Sequence, residues 1–185
     1  MSVLVAEGLG LRTRRGWVFR DVDLAVRSGD LMALTGPAGS GRTSLLLALA
    51  GHFRTSAGTR RLRGRAGIGL VPAINEPEPG LTAAEHLRER QLLLGRRDPV
   101  PLPVDGSTLG RDLTPYQRQR LMLALATIDE PELVVLDDAD LGLSGAERAE
   151  LWQALTDLAG QGYAVVATCR EAPASAIEYA LGGHR

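Results

Sequence analysis

The chain has 185 residues, 22 acidic and 21 basic, for a formal charge of −1. That length argues for one domain that buries roughly 70% of its unfolded surface, and 44% apolar residues exclude global disorder. The near-zero charge gives no support to nucleic-acid binding, and the single cysteine, Cys169, excludes an internal disulfide and suits a reducing compartment.

In chain order, Met1–Gly10 lacks the basic start and long apolar run of a signal peptide. Ser2–Ala6, Leu9–Arg12, Val18–Phe19 and Val22–Val26 read as short antiparallel strands, with a turn at Ser28-Gly29-Asp30. Leu31–Thr35 is a compact apolar run, predicted as a buried strand. A glycine-rich loop leads from it into a helix over Thr43–Ala50, closed by Gly51. The apolar run Leu45–Ala50, which no other exceeds, is far short of the ~20 residues that cross a bilayer.

Arg60–Arg65 reads as an edge strand with a solvated basic face, and Gly67–Val71 as an apolar strand. Three prolines make 72–80 a loop. Thr82–Leu94 reads as a helix ended by Gly95, and 95–107 as a proline-rich connector. Thr114 as N-cap, Pro115 at the first position and Gln117 in the capping-box position start a helix that runs to Ile128. Leu133–Leu136 is an apolar strand. Ser144 and Glu147 open a helix to Ala159, Ala164–Thr168 is a last buried strand, and 174–181 reads as a short terminal helix. Apolar strands alternating with helices predict an α/β fold: a mostly parallel sheet covered on both faces, with a small antiparallel N-terminal sheet beside it.

Gly36-Pro37-Ala38-Gly39-Ser40-Gly41-Arg42-Thr43 fits G-x-x-x-x-G-[K/R]-[S/T] between a strand and a helix. That context marks a phosphate-binding loop, for which about 0.03 chance matches are expected in a chain of this composition. Glycines let main-chain amides close on an anion, and the positive helix end, through Ser44, faces it too. The Thr43 hydroxyl is placed to ligate Mg²⁺. Arg42 stands where a lysine is expected. Every basic residue here is arginine, which reads as the coding bias of a G+C-rich bacterial genome. Arginine keeps the charge and grips phosphate through two N–H groups, but its planar, longer side chain predicts slower hydrolysis. Leu133–Leu136 ends in Asp137 and Asp138. At the carboxyl end of a sheet strand, Asp137 can hold Mg²⁺ and Asp138 can polarise a water as general base.

These elements resemble the ATP-binding cassette (ABC) family of transporter ATPases, from about Val3 to Arg170. Phe19–Arg42 is similar to the family's lead into its phosphate loop. Leu113-Thr-Pro-Tyr-Gln-Arg-Gln-Arg looks like the signature L-S-G-G-Q-x-Q-R, and Glu130–Asp138 like the acidic strand that follows it. The resemblance implies a single nucleotide-binding domain, 1–185, as a P-loop NTPase with a reduced helical subdomain at about 73–128. It implies ATP and Mg²⁺ as cofactors, a nucleotide-dependent homo- or heterodimer, and a separate integral membrane permease. It also implies a cytoplasmic, peripheral location at the inner face of the plasma membrane. In the family the signature helix start meets the γ-phosphate held by the partner subunit.

The departures are specific. Pro115 and Tyr116 replace two signature glycines. Asp138 replaces a glutamate, and Ala73 the glutamine near the metal. Arg170, or Cys169 in a register one residue back, stands at the switch histidine. The adenine-stacking aromatic falls at Thr13, with Trp17 nearby, and the usual last strand and tail are missing. Asp138, Arg42 and Arg170 are the expected catalytic residues. The alternative reading is a degenerate module that binds ATP with little hydrolysis; a small-molecule kinase would need an acceptor site and a lid. His52 and His86 read as packing or surface residues.

Overall fold

The computed structural model describes residues 1–182. Two long strands open the chain, β1 (Ser2–Thr13) and β2 (Gly16–Arg27), paired antiparallel with several register shifts. They replace the four short strands expected from the sequence. Gly8 and Asp21 take positive φ at the irregularities, so the breaks in hydrophobic alternation mark bulges rather than strand ends. β4 (Ala57–Leu62) adds the far edge of this sheet, in the order β2-β1-β4.

The second sheet has the order β5-β6-β7-β3-β8 and is parallel throughout. Its strands are β3 (Leu31–Thr35), β5 (Ala66–Ile68), β6 (Leu133–Leu136), β7 (Ala164–Thr168) and β8 (Ile177–Ala180). Two expectations are corrected. The apolar run after Gly67 is a strand only to Ile68, because Asn75 turns back and donates to the carbonyls of Ile68 and Gly69. Residues 177–180 form a strand on the open edge of β3, not a helix, which also supplies a strand after the switch position.

Alternation along the central strands divides the core. Met32, Leu34, Leu133, Val135, Ala164 and Val166 face α1 (Arg42–Ala50) and the antiparallel sheet. Their neighbours Ala33, Val134, Leu136, Val165 and Ala167 face α4 (Gly145–Gly160), where Leu151, Trp152 and Leu155 are buried. A third cluster joins α2 (Ala83–Leu94) to α3 (Pro115–Thr127) through Ala83, Leu113, Leu121, Met122 and Leu125. The expected capping boxes at Thr114 and Ser144 form, and α2 has a further one between Thr82 and Glu85. The carboxyl ends of β3, β6 and β7 thereby converge at one edge of the sheet.

A phosphate loop facing two aspartates

The loop between β3 and α1 is shaped by contacts that only glycine permits. A Cβ on Gly36 would lie 2.7 Å from the Leu181 carbonyl oxygen, and one on Gly41 2.6 Å from that of Val18. Gly36, Gly39 and Gly41 all have positive φ. Pro37, Ala38 and Gly39 are exposed at the loop's crest, while Ser40 is buried and its hydroxyl has no partner among the described residues. The first turn of α1 contains no acidic side chain and Gly41 offers no side-chain cap, so the amides there stay open toward an anion.

Across from the loop, the Thr43 hydroxyl donates to Oδ2 of Asp137 at 2.8 Å. Asp137 is only 2% exposed, and its other oxygen accepts from the Thr168 hydroxyl at 2.5 Å. Among the described residues its side-chain partners are therefore hydroxyls, with no cation in contact. A buried carboxylate beside a hydroxyl is the hard-oxygen donor set that suits Mg²⁺, so these residues fit that ion.

Asp138 lies at φ 44, in the left-handed region, and is partly buried. Burial pushes its carboxyl above the usual aspartate range, and the Asp137 charge adds to the effect; Arg42 and Arg170 oppose it. Arg42 does not extend along the loop. Its guanidinium donates to the Cys169 carbonyl and lies 3.7 Å from Oδ1 of Asp138. The Arg170 side chain is exposed and its amide donates to Asp140 at 3.0 Å. Cys169 is fully buried, so of the two switch candidates only Arg170 offers its side chain outward.

The remaining expected residues lie elsewhere. Thr114 and Pro115 are exposed at the start of α3, with the Gln117 amide taken by the Thr114 hydroxyl. The Tyr116 hydroxyl is turned back onto its own chain, donating to Glu150 and accepting from Arg120. Ala73 is exposed at φ 62 with its amide on Glu76. Trp17 pairs with Arg12 across the hairpin, and the Arg12 guanidinium lies 5.7 Å from its ring centre. His86 is buried, its Nε2 accepting from the Glu78 amide.

Sequence reasoning missed Thr168 and Gln119. Gln119, buried on α3, reaches the carbonyls of Asp137 and Asp138 at 3.4 Å. The available signal for Thr168 was one hydroxyl ending an otherwise apolar strand.

The model of the ABC transporter family matches residues 19–140. The zinc import ATP-binding protein ZnuC of Jannaschia sp. is 34% identical over 171 residues, covering 85% of this chain and 68% of that protein. The Nod factor export ATP-binding protein I of Ralstonia nicotianae is 28% identical, covering 90% and 59%. The chain thus spans roughly three fifths to two thirds of the length of these curated relatives. Among solved structures, an ATP-binding cassette of an ABC transporter superposes with TM-score 0.81 at 14% identity, covering 99% of this chain and 88% of that one. A dimeric, post-hydrolysis cassette bound to ADP and phosphate superposes with TM-score 0.76 at 18% identity, covering 91% and 88%. With the family model matching well over half its length, the chain belongs to the ABC transporter family of ATPases.

Proposed function

We propose that the chain is the ATP-binding and ATP-hydrolysing subunit of a transporter, working on a separate membrane permease. One observation carries the reading: the phosphate loop delivers the Thr43 hydroxyl onto buried Asp137 at 2.8 Å, with Asp138 as the next residue. Within 36–44, the main-chain amides other than Pro37, which has none, and Ser40, whose amide donates to the Pro37 carbonyl, hold the nucleotide's phosphates. Thr43 and Asp137 would hold Mg²⁺, which when bound neutralises charge on the phosphates. Asp138 accepts a proton from the attacking water, and its raised proton affinity makes it a stronger base than an ordinary aspartate. Arg42 must leave Asp138 to meet phosphate oxygens, so the base is released as the anion is gripped. Arg170, exposed at the same strand end, is the outward cation for the γ-phosphate.

Nucleotide closes a homo- or heterodimer in which the start of α3 faces the partner's phosphates. The surface for a permease includes exposed Ile74 and Leu93, at the mouth of a cavity of about 440 Å³ with Glu76, Glu78 and Glu89 in its wall, and exposed Leu92 next in sequence to Leu93. Among the described residues no helix is long and apolar enough to cross a membrane. Kinship with ATP-binding proteins of import and export systems supports placing the chain in the cytoplasm, against the inner face of the plasma membrane. The alternative of a non-hydrolysing module finds no support among the relatives.

Phosphate release from the purified protein with Mg²⁺, measured beside Asp138→Asn and Arg42→Ala, tests the assignment. Wild type is expected to exceed Asp138→Asn by at least about 100-fold, the usual scale of a lost general base. Equal rates would remove hydrolysis from the function.

A further inference from the structure

We propose that Thr168 is a positioning residue of this site, locking the Asp137 carboxylate and the Asp138 main chain into one unit. Thr168 is fully buried at the end of β7, the strand that separates β6, with its two aspartates, from β3, with the phosphate loop. A hydroxyl has one proton to give. The Asp138 amide donates into the Thr168 oxygen at 2.7 Å, so the proton of Thr168 goes to Oδ1 of Asp137, 2.5 Å away. The main chain of the same residue takes a third partner, the Ala139 amide at 2.9 Å. Three consecutive residues, 137 to 139, are thus tied to one threonine.

The tie has two consequences for the proposed chemistry, on which the inference rests. Asp138 sits in a left-handed conformation, which a non-glycine residue adopts only when its surroundings hold it there. Anchoring both its amide and the next one holds that turn, and the turn aims the Asp138 carboxyl at Arg42 and the loop. Oδ2 of Asp137 is the oxygen that faces Thr43. With Oδ1 anchored by Thr168, the carboxylate cannot rotate away, so Oδ2 stays presented to a cation. Threonine suits the place because its β-branch stiffens χ1 on a strand.

The experiment compares wild type, Thr168→Val and Thr168→Ser. It measures the Mg²⁺ concentration that half-saturates binding of trinitrophenyl-ATP, the binding of the same probe in EDTA, and hydrogen exchange of the Asp138 amide without metal. Thr168→Val is expected to raise the Mg²⁺ requirement about 10–100-fold, the scale for lost outer partners of a metal ligand. Metal-free probe binding should change less than about threefold, and the Asp138 amide should lose protection. Thr168→Ser should stay within about threefold of wild type on all three readings. A general loss of packing would instead weaken binding with and without metal alike. A folded Thr168→Val protein with an unchanged Mg²⁺ requirement overturns the proposal. If the valine variant does not fold, Thr168→Ser decides: a tenfold rise in its Mg²⁺ requirement overturns the proposal, and near wild-type behaviour with a protected Asp138 amide supports it. Absence of probe binding by wild type itself would overturn the nucleotide reading and this inference together, an outcome distinct from wild-type binding with an indifferent valine variant.

Discussion

Cys169 follows Thr168, and its chemistry is set by what surrounds it. Burial pushes its thiol up to about 12, and the nearby charge of Asp140 adds to the effect. Because the thiolate is the reactive form, the folded chain should resist alkylation at about pH 8 and react with one equivalent only in denaturant. Stoichiometric labelling of the folded protein would contradict the buried position. The same shift fixes the sign of a stability effect. The native state holds this proton more tightly than the unfolded chain, whose thiol titrates at about 8.5. The contribution is complete below that pH and is lost as pH climbs toward the folded value near 12. Thermal melts should therefore fall above about pH 9, and Cys169→Ala should flatten the fall.

At the scale of elements, the β3–loop–α1 unit depends on close approach rather than on side chains. Gly41 caps α1 at φ 90, and any Cβ there meets the Val18 carbonyl oxygen at 2.6 Å. Gly39 also has positive φ, yet a Cβ there meets nothing within 4 Å. Gly41→Ala combines left-handed strain of about 1–2 kcal/mol with displacement of β2, so it should weaken ATP binding by at least about tenfold in calorimetry. Gly39→Ala, bearing the strain alone, should lose less. The reverse ranking would mean that the grip does not depend on the fit of the loop against β2. This unit was legible in the sequence because its requirements are local: an apolar strand, glycines at fixed spacing and a helix start. The capping boxes at Thr114 and Ser144 were legible for the same reason, each being settled within four residues. Two features were not. The strand over Ile177–Ala180 is mostly exposed and exists because β3 offers it an open edge; its own composition carries no strand period. Arg42 was read as a phosphate ligand, and nothing in the loop's sequence indicates that its guanidinium rests between the Cys169 carbonyl and Asp138, partners about a hundred residues away. Long-range pairing of this kind depends on the order β6-β7-β3, which a single chain's periodicity does not encode.

For the whole molecule, the proposed dimer places its demands on the start of α3, where two of the departures from the family pattern, Pro115 and Tyr116, lie side by side. Pro115 has no amide proton to give, and the Gln117 amide is taken by the Thr114 hydroxyl. Of the first turn, that leaves the Tyr116 amide to meet a partner's γ-phosphate. The Tyr116 ring does not block it from outside, because its hydroxyl is bound to Glu150 and Arg120 of the same chain. The limiting defect is therefore the missing donor. A hydrogen bond to a charged group contributes about 1.5–3 kcal/mol, so one restored amide should tighten closure by about tenfold or more. Analytical ultracentrifugation can read this in an Asp138→Asn background, where ATP persists. With Mg²⁺ and ATP the 19.7 kDa chain should approach twice its mass, and adding Pro115→Gly should lower the dimer dissociation constant. Thr114→Val, which loses the cap at about 1 kcal/mol, should weaken it instead. Dimer affinity indifferent to both changes would mean that the start of α3 does not face a nucleotide. In that event subunit contacts would have to be sought on another surface, with exposed Leu141 beside the two aspartates as the first place to look.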